Sequence, residues 1–257
     1  MLLAIDCGNT NTVFAVCEGD EIKAEWRIVT DGRRTADQYG VWLNQLLEMH
    51  GLARDDLDGA IIATVVPDAL FNLHALCRRY FDAEPLIIGD AGVKLGVKVL
   101  LPNPDEVGAD RLVNAVSAHG RYAGDLIVVD FGTSTTFDVI NGDGDYVGGV
   151  IAPGINLSLE ALHRAAAKLP RVSVKRPPSV IGKATVPAMQ SGVYWGYIGL
   201  IEGLVSRIGA EIGRKPTVIA TGGLAPVFAD ATAVIDHLDP HLTVRGLIAV
   251  WQLNKPV

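Results

Sequence analysis

Two short segments of this sequence carry an acid, a glycine and then a run of hydroxyl or amide side chains. The first reads Asp6-Cys7-Gly8-Asn9-Thr10-Asn11-Thr12, and the second reads Asp130-Phe131-Gly132-Thr133-Ser134-Thr135-Thr136. In each segment the glycine lets a ligand approach the backbone, and the polar groups after it can donate hydrogen bonds to phosphate oxygens. The aspartates can hold a hard cation such as Mg²⁺ directly or through water. The segments therefore predict a pair of phosphate-binding turns.

An ordinary β-hairpin turn is the alternative interpretation of each segment, because Asn and Gly tolerate turn dihedrals without any ligand. The repetition favours the functional interpretation. An ungapped alignment of the segments gives three identities: Asp6 with Asp130, Gly8 with Gly132, and Thr12 with Thr136. Two copies of one motif, about half a chain apart, predict a duplicated domain with a cleft between its halves.

A third segment, Asn103-Pro104-Asp105-Glu106-Val107-Gly108-Ala109-Asp110-Arg111, leads into a predicted helix that begins between Gly108 and Asp110. Asp110 at a helix start is explained by favourable interaction with the partly positive helix end. Arg111 is not, because a cation is disfavoured there and requires an anion opposite it. In the ordinary interpretation that anion is a nearby Asp or Glu side chain.

A fourth segment, Thr221-Gly222-Gly223, follows a predicted strand and precedes a predicted helix. Such a turn admits a flat ring or a phosphate against bare backbone, although an ordinary strand-to-helix turn has the same sequence. Other nucleotide-binding motifs are absent, since Gly182-Lys183 is followed by Ala184 and no strand leads into G-x-G-x-x-G.

Composition excludes several classes of protein. The chain has 257 residues, 49% of them apolar and 20% charged, which excludes disorder. A net charge of −7 excludes a general nucleic-acid binder. Three cysteines without a close pair argue against a disulfide framework or a structural zinc site. The sequence has no apolar run as long as the roughly 18 residues that a membrane span needs, so no span is expected. The first residues resemble a buried strand and not a signal peptide. We expect a soluble cytoplasmic protein with no nucleic-acid or membrane partner.

Strand-length apolar runs alternate with helical patterns, which predicts an α/β fold. Strands are predicted at Leu2–Ile5, Thr12–Val16, Ile22–Val29, Ala60–Val66, Leu86–Ile88, Leu126–Val129, Thr135–Ile140 and Thr217–Ala220. Helices are predicted at Thr35–Met49, Ala69–Tyr80, Ile155–Ala167, Val186–Ile212 and His241–Leu253. The proline-rich and basic segment Pro170–Pro178 is predicted to be an exposed loop.

Together these segments resemble the ASKHA phosphotransferase superfamily and, within it, type III pantothenate kinases. The matching stretches are Asp6–Val13, Asn103–Asn114, Asp130–Thr136, Gly148–Gly154, Thr185–Gly192 and Ala220–Ala225. The resemblance implies a duplicated ribonuclease H-like core, as in actin, hexokinase and Hsp70, with an ATP cleft between two domains. We place these domains at residues 1–115 and 116–257.

The resemblance also implies an activity, namely transfer of the γ-phosphoryl group of ATP to pantothenate, the first step toward coenzyme A. Asp110 would be the general base. Pantothenate would contact Gly108, Ala109, Asp110, Arg111 and Thr185. ATP would contact Asp6, Cys7, Gly8, Asn9, Thr10, Asn11, Thr12, Val13 and Thr133. Asp130 would bind a monovalent cation, K⁺ or NH₄⁺, while Mg²⁺ would accompany ATP, possibly near Asp6 through water.

Two positions depart from the family pattern. Many relatives have a tyrosine where this chain has Leu101, which puts one substrate contact in doubt, and some have a lysine at Val13. Without that lysine the phosphates depend on backbone donors and metal. Two rival interpretations stay open: another small-molecule kinase of the superfamily, which should lack the Gly-Ala-Asp-Arg helix, and a non-catalytic accessory or regulatory relative.

Four glycines, Gly192, Gly196, Gly199 and Gly203, recur at helical spacing and form one bare stripe. Each glycine in a helix costs about 0.5–1 kcal/mol relative to alanine, so the stripe calls for a reason. We expect close approach by another backbone, from either the sheet of the same chain or a second subunit. The resemblance favours a homodimer.

Overall fold

The structure is a computed structural model that describes residues 1–166 and 169–255. It contains two compact units. Unit 1 comprises residues 1–120 and the described residues from 241 onward, and unit 2 comprises residues 121–240. No helix in the described ranges is long and apolar enough to cross a membrane.

Ten strands and seven α-helices make up the described part of the chain. The strands are β1 (Leu2–Cys7), β2 (Asn11–Glu18), β3 (Glu21–Val29), β4 (Gly59–Thr64), β5 (Pro85–Ile87), β6 (Leu126–Phe131), β7 (Ser134–Ile140), β8 (Tyr146–Pro153), β9 (Thr217–Thr221) and β10 (His237–Leu238). The helices are α1 (Ala36–Met49), α2 (Pro67–Phe81), α3 (Ala109–Arg121), α4 (Ile155–Ala165), α5 (Thr185–Ile212), α6 (Ala225–Ala229) and α7 (Leu242–Asn254).

The sheet of unit 1 has the strand order β3-β2-β1-β4-β5. Strands β1, β2 and β3 form an antiparallel meander, while β4 and β5 add in parallel. The core on one face of the sheet includes residues of α1 and α2, and that on the other face includes residues of α3 and α7. A capping box fixes the start of α1, because the Thr35 hydroxyl accepts from the Gln38 N–H and the Gln38 side chain accepts from the Thr35 N–H.

The sheet of unit 2 repeats this topology in the order β10-β9-β6-β7-β8. Again three strands form an antiparallel meander and two add in parallel beside the first strand. Helices α5 and α6 contribute to its core. The duplicated α/β core predicted from the repeated motif is therefore confirmed.

The strand registers correct one detail of the repeat. Cys7 pairs with Thr12 at the end of the first hairpin, whereas Phe131 pairs with Thr135 at the end of the second. The structural counterpart of Thr12 is thus Thr135, and the ungapped match to Thr136 was wrong by one residue. The second turn is one residue shorter than the first, which an ungapped alignment hides.

Most predicted elements are confirmed within a residue or two, but some were missed. Strand β8 was missed because its two glycines weaken the strand pattern, and β10 is too short to produce one. Helix α4 ends at Ala165, and residue 167, where the prediction ended it, lies outside the described residues. The segment Pro170–Pro178 forms neither helix nor strand, as predicted.

The glycine stripe on α5 is open within this chain. Among the described residues, a Cβ built on Gly192, Gly196 or Gly199 meets no atom within 4 Å, and one built on Gly203 meets only the guanidinium of Arg207. The expectation that the sheet of the same chain packs against this stripe is therefore wrong.

All three cysteines are buried free thiols. Burial raises the pKa of both Cys17 and Cys77 to about 12, which keeps these groups protonated and unreactive near neutral pH.

Candidate functional site

The first polar turn connects β1 to β2. The Gly8 N–H donates to the Asn11 carbonyl at 3.1 Å, which closes the turn and leaves Asn9 and Thr10 exposed. Asp6 lies partly exposed one residue before the end of β1, opposite Val13 on β2. The turn thus presents a carboxylate and short polar side chains at one edge of the sheet.

Two residues predicted to contact ATP lie beneath this turn. Cys7 and Thr12 are both fully buried, and the Thr12 hydroxyl is 3.4 Å from Cys7 Sγ and 2.9 Å from the Thr30 hydroxyl. Their side chains pack beneath the turn and are not exposed to a ligand. Gly8 and Asn11 are at least partly exposed, as is Val13, which stands where some relatives have lysine.

The second polar turn connects β6 to β7 in unit 2. The Gly132 N–H donates to the Ser134 carbonyl at 3.0 Å, and Thr133 is exposed at its tip. A Cβ on Gly154 would lie 2.1 Å from the Thr133 carbonyl oxygen, so the start of α4 packs directly on the turn. Both turns are therefore closed by a backbone hydrogen bond from the glycine N–H. The first is supported by Cys7 and Thr12, and the second by Gly154 at the start of α4.

Asp130 lies partly exposed one residue before the end of β6, beside the Gly222 turn. A Cβ on Gly222 would lie 2.4 Å from Asp130 Oδ1 and 2.7 Å from the Phe131 nitrogen, and Gly222 has a φ of 91°. Only glycine satisfies both conditions without strain. The glycine turn predicted to receive a ligand thus also shapes the surroundings of the Asp130 carboxylate.

Asp110 occupies the first turn of α3 with its carboxylate folded back toward the helix start. Oδ1 accepts a hydrogen bond of 2.8 Å from the Arg111 N–H. Burial raises the pKa of Asp110, and the hydrogen bond and charge of Arg111 oppose that shift without cancelling it. The carboxylate is accordingly a stronger proton acceptor than a solvated aspartate.

Val65 lies beside both the end of β1 and Gly108 inside unit 1. It follows β4, and its N–H donates to the Cys7 carbonyl at 3.1 Å. Its Cγ1 would be 3.3 Å from a Cβ on Gly108. Since β1 and β4 are parallel, their carboxyl ends meet at one sheet edge, and the Gly8 turn and the start of α3 both lie there.

The remaining predicted site residues fall into two places. Ala109 and Arg111 are partly buried beside Asp110, whereas Thr185 is the exposed first residue of α5 in unit 2. Unit 1 brings together the Gly8 turn and the start of α3. Unit 2 holds Asp130, Thr133 and Thr185.

Three supporting residues were missed by sequence reasoning: Thr30, Val65 and Gly154. Gly154 ends a stretch that matched the family pattern, which could have drawn attention to it. Thr30 and Val65 merely follow strands, so their importance depends on how those strands pair.

Among the described residues, no His, Cys, Asp and Glu side chains form a group of three or more that could hold a metal ion. Mg²⁺ in nucleotide sites usually keeps several waters and takes one or two carboxylates besides the phosphates. Asp6, a partly exposed carboxylate at a polar turn, fits such sparse coordination.

Comparison with known proteins gives consistent matches over the whole chain. The family model for type III pantothenate kinase matches residues 2–207. A type III pantothenate kinase of Paramagnetospirillum magneticum is 65% identical, covering 99% of this chain and 98% of the relative. That of Rhodospirillum rubrum is 61% identical and covers all of both chains.

Solved structures share the fold at low identity. A Sinorhizobium meliloti protein provisionally named 2-dehydro-3-deoxygalactonokinase has a TM-score of 0.62 at 16% identity, covering 100% of this chain and 98% of that one. The activator of 2-hydroxyisocaproyl-CoA dehydratase from Clostridium difficile has a TM-score of 0.51 at 12% identity, with coverage of 100% and 98%. The fold is thus the duplicated α/β core of the ASKHA type. By its sequence along nearly its full length, this chain belongs to the type III pantothenate kinase family.

Proposed function

We propose that this chain transfers the γ-phosphoryl group of ATP to the primary hydroxyl of pantothenate. Family membership supports the reaction, and one structural observation carries the assignment of the site. The partly buried carboxylate of Asp110 and the Gly8 turn lie at the same edge of one sheet, where Val65 is bonded to the Cys7 carbonyl and lies beside Gly108. A base and a phosphate-binding turn must be neighbours if an alcohol is to attack the terminal phosphate.

Asp110 serves as the general base in this proposal. The pantothenate hydroxyl gives its proton to Oδ2 or Oδ1 of Asp110 as its oxygen bonds to the γ-phosphorus. The bond from that phosphorus to the bridging oxygen breaks, and ADP leaves. Because the transition state is loose, the carboxylate accepts the proton late and need not deprotonate the alcohol in advance. The raised pKa of Asp110 suits this role.

The two polar turns hold ATP. Asn9 and Thr10 supply exposed side-chain donors, and Gly8, Asn11 and Val13 supply backbone contacts. Thr133 supplies a hydroxyl at the tip of the second turn. Mg²⁺ accompanies ATP and neutralises phosphate charge, with the Asp6 carboxylate as its protein partner through water.

Pantothenate is held beside Asp110. Gly108 and Ala109 line the pocket, and the Arg111 guanidinium pairs with the substrate carboxylate, an arrangement that guanidinium geometry favours. Thr185 contributes a hydroxyl from the start of α5. Leu101 replaces the tyrosine of many relatives, so one polar contact to the vitamin is missing here.

A monovalent cation, K⁺ or NH₄⁺, binds at Asp130 in this proposal, because a hard cation prefers carboxylate oxygen and Asp130 lies at a polar turn. Rates with K⁺, NH₄⁺ and Na⁺ at equal ionic strength test this assignment. The K⁺ or NH₄⁺ requirement should weaken in Asp130→Asn, and equal rates in Na⁺ alone would contradict the assignment.

The chain acts as a homodimer in the cytoplasm, where ATP is available. The open glycine stripe of α5 supports the dimer, because no described atom of this chain packs against Gly192, Gly196 or Gly199. Four helix glycines would otherwise cost about 2–4 kcal/mol without compensation.

The function is tested with the purified chain, ATP, Mg²⁺ and ammonium. Pantothenate is compared with a panel of other small hydroxy acids, and ADP and phosphorylated product are both measured. Pantothenate should have the highest kcat/KM. A higher kcat/KM for another acceptor would identify a different small-molecule kinase, and turnover of none would favour a non-catalytic relative.

A further inference from the structure

Thr30, the residue after β3, makes two hydrogen bonds to the loop between β1 and β2. Its hydroxyl donates to the Gly8 carbonyl at 2.7 Å, and its N–H donates to the Thr10 carbonyl at 2.9 Å. Strand β3 pairs with β2 and not with β1. Thr30 therefore reaches past its own neighbouring strand to the loop residue that follows β1.

A simple continuation of the β2–β3 ladder would explain only one of these bonds. Asn11 pairs with Val29, so the bond from the Thr30 N–H to the Thr10 carbonyl is the next backbone bond of that ladder. The hydroxyl bond to Gly8 is additional, because it depends on the side chain. A valine at position 30 would preserve the ladder and lose the contact with Gly8.

The number of hydroxyl protons determines which group donates in the network of Thr12, Thr30 and Gly8. The Thr30 hydroxyl has one proton, which it gives to the Gly8 carbonyl, so it must accept at its 2.9 Å contact with the Thr12 hydroxyl. Thr12 is then the donor, with Cys7 Sγ as a weaker second acceptor at 3.4 Å. Hydroxyl groups connected in this way strengthen one another in a buried setting.

The network also determines where an amide of the turn is directed. The Gly8–Asn9 peptide is trans, as is every peptide bond in the described part of the chain. In a planar trans peptide the carbonyl and the N–H point in opposite directions. With the Gly8 carbonyl held toward Thr30, the Asn9 N–H points away from Thr30, and Asn9 itself is exposed, so this N–H is a candidate donor for an anion.

We propose that Thr30 is a positioning residue for ATP: by holding the Gly8 carbonyl, it directs the Asn9 N–H toward the phosphates. The inference rests on the proposed function of this loop. Thr30 itself touches no reacting atom. Its hydroxyl acts through the Gly8 carbonyl, and its contribution should appear in ATP binding and not in the binding of the acceptor substrate.

The test compares Thr30→Val, which removes only the hydroxyl, with Thr30→Ser, which retains it. We expect Thr30→Val to raise KM for MgATP about tenfold, with kcat changed by no more than about twofold and KM for pantothenate unchanged. Thr30→Ser should remain close to wild type. The dissociation constant of a non-hydrolysable ATP analogue, measured by calorimetry with Mg²⁺, should rise in parallel.

Thr35→Val is the matched control, because it removes another threonine hydroxyl from unit 1. Thr35 caps α1 through hydrogen bonds with Gln38, so this variant should lower the melting temperature and leave KM for MgATP unchanged. If Thr30→Val fails to fold, Thr30→Ala takes its place, because it also lacks the hydroxyl and does not add the second methyl group of valine.

Three outcomes would overturn the inference. They are an unchanged KM for MgATP in Thr30→Val, an equal loss in Thr30→Ser, and an equal rise in KM in Thr35→Val. A wild-type chain that binds the ATP analogue but phosphorylates no pantothenate would instead refute the proposed function. In that case the dissociation constants of the variants would still decide the role of Thr30.

Discussion

Asp110 lies directly over Gly108: a Cβ built on Gly108 would be 2.6 Å from Oδ1 of Asp110. That distance is shorter than any carbon–oxygen contact without a bond. The carboxylate therefore occupies space that exists only because residue 108 has no side chain. The Arg111 N–H, which also donates to the Gly108 carbonyl, fixes the other side of the same oxygen.

Gly108→Ala should consequently displace the carboxylate while leaving the fold intact. We expect kcat to fall about 10- to 100-fold, because a displacement of about 1 Å can cost that much in a positioned group. The loss should appear in steady-state kinetics, and thermal unfolding should change little, because a side chain and not the backbone must give way.

Gly120→Ala is the control on the same helix. A Cβ there meets nothing within 4 Å, so the variant should keep its kcat and gain up to about 0.5–1 kcal/mol of helix stability. If both variants lose activity equally, the clash with Asp110 is not the cause.

Asp110→Asn should remove most turnover, because an amide cannot accept the proton of the attacking hydroxyl. Retention of a kcat near that of wild type would refute Asp110 as the base. The variant should also be at least as stable as wild type at neutral pH. Since burial raises the pKa of Asp110, its ionised form costs free energy in the folded state.

The pH dependence follows from the same shift. The folded state binds the Asp110 proton more tightly than the unfolded state, so the associated stability is fully present at low pH and is lost as pH rises through the folded pKa. The free energy of unfolding of Asp110→Asn should therefore rise relative to that of wild type as the pH increases across this range. In wild type, kcat should rise with pH, and the midpoint should lie above the ordinary aspartate pKa. A midpoint at or below that value would contradict the assignment.

Gly222→Ala should damage the second turn. The substitution demands a left-handed backbone of an L-residue and places a Cβ against Asp130 Oδ1 and the Phe131 nitrogen. We expect a loss of roughly 1–3 kcal/mol in the free energy of unfolding, together with weaker cation activation.

The neighbouring glycine provides the comparison. A Cβ on Gly223 meets nothing within 4 Å, so Gly223→Ala should stay within about 0.5 kcal/mol of wild type in urea unfolding. Similar losses in both variants would show that the turn is sensitive to any substitution and not specifically to contact with Asp130.

Gly196→Leu should convert the dimer to a monomer without unfolding the chain. The open stripe tolerates a side chain within one subunit but not against a second backbone. Sedimentation velocity at micromolar concentration measures the change, with Gln45→Leu at an exposed position of α1 as control for an added apolar side chain. A wild-type chain that is monomeric at that concentration would defeat the dimer proposal.

Much of the fold of this protein could be predicted from local patterns in the sequence alone. The alternation of buried strands and amphipathic helices predicted the α/β fold, and the repeated acid–glycine motif predicted the duplication. Both patterns can be recognised in the sequence, because side-chain periodicity and turn composition are properties of residues close together in the chain. The start of α3 was likewise predicted from the residues around Gly108.

The pairing of distant segments was decided only by the tertiary structure. The one-residue difference between the two turns appears in strand register, which places Thr135 and not Thr136 opposite Phe131. The contact of Thr30 with Gly8 requires three strands to align, and the association of α7 with the first unit joins residues from opposite ends of the chain. Sequence spacing carries no record of such contacts, because they arise from hydrogen bonding and packing between segments that meet only when the chain has folded.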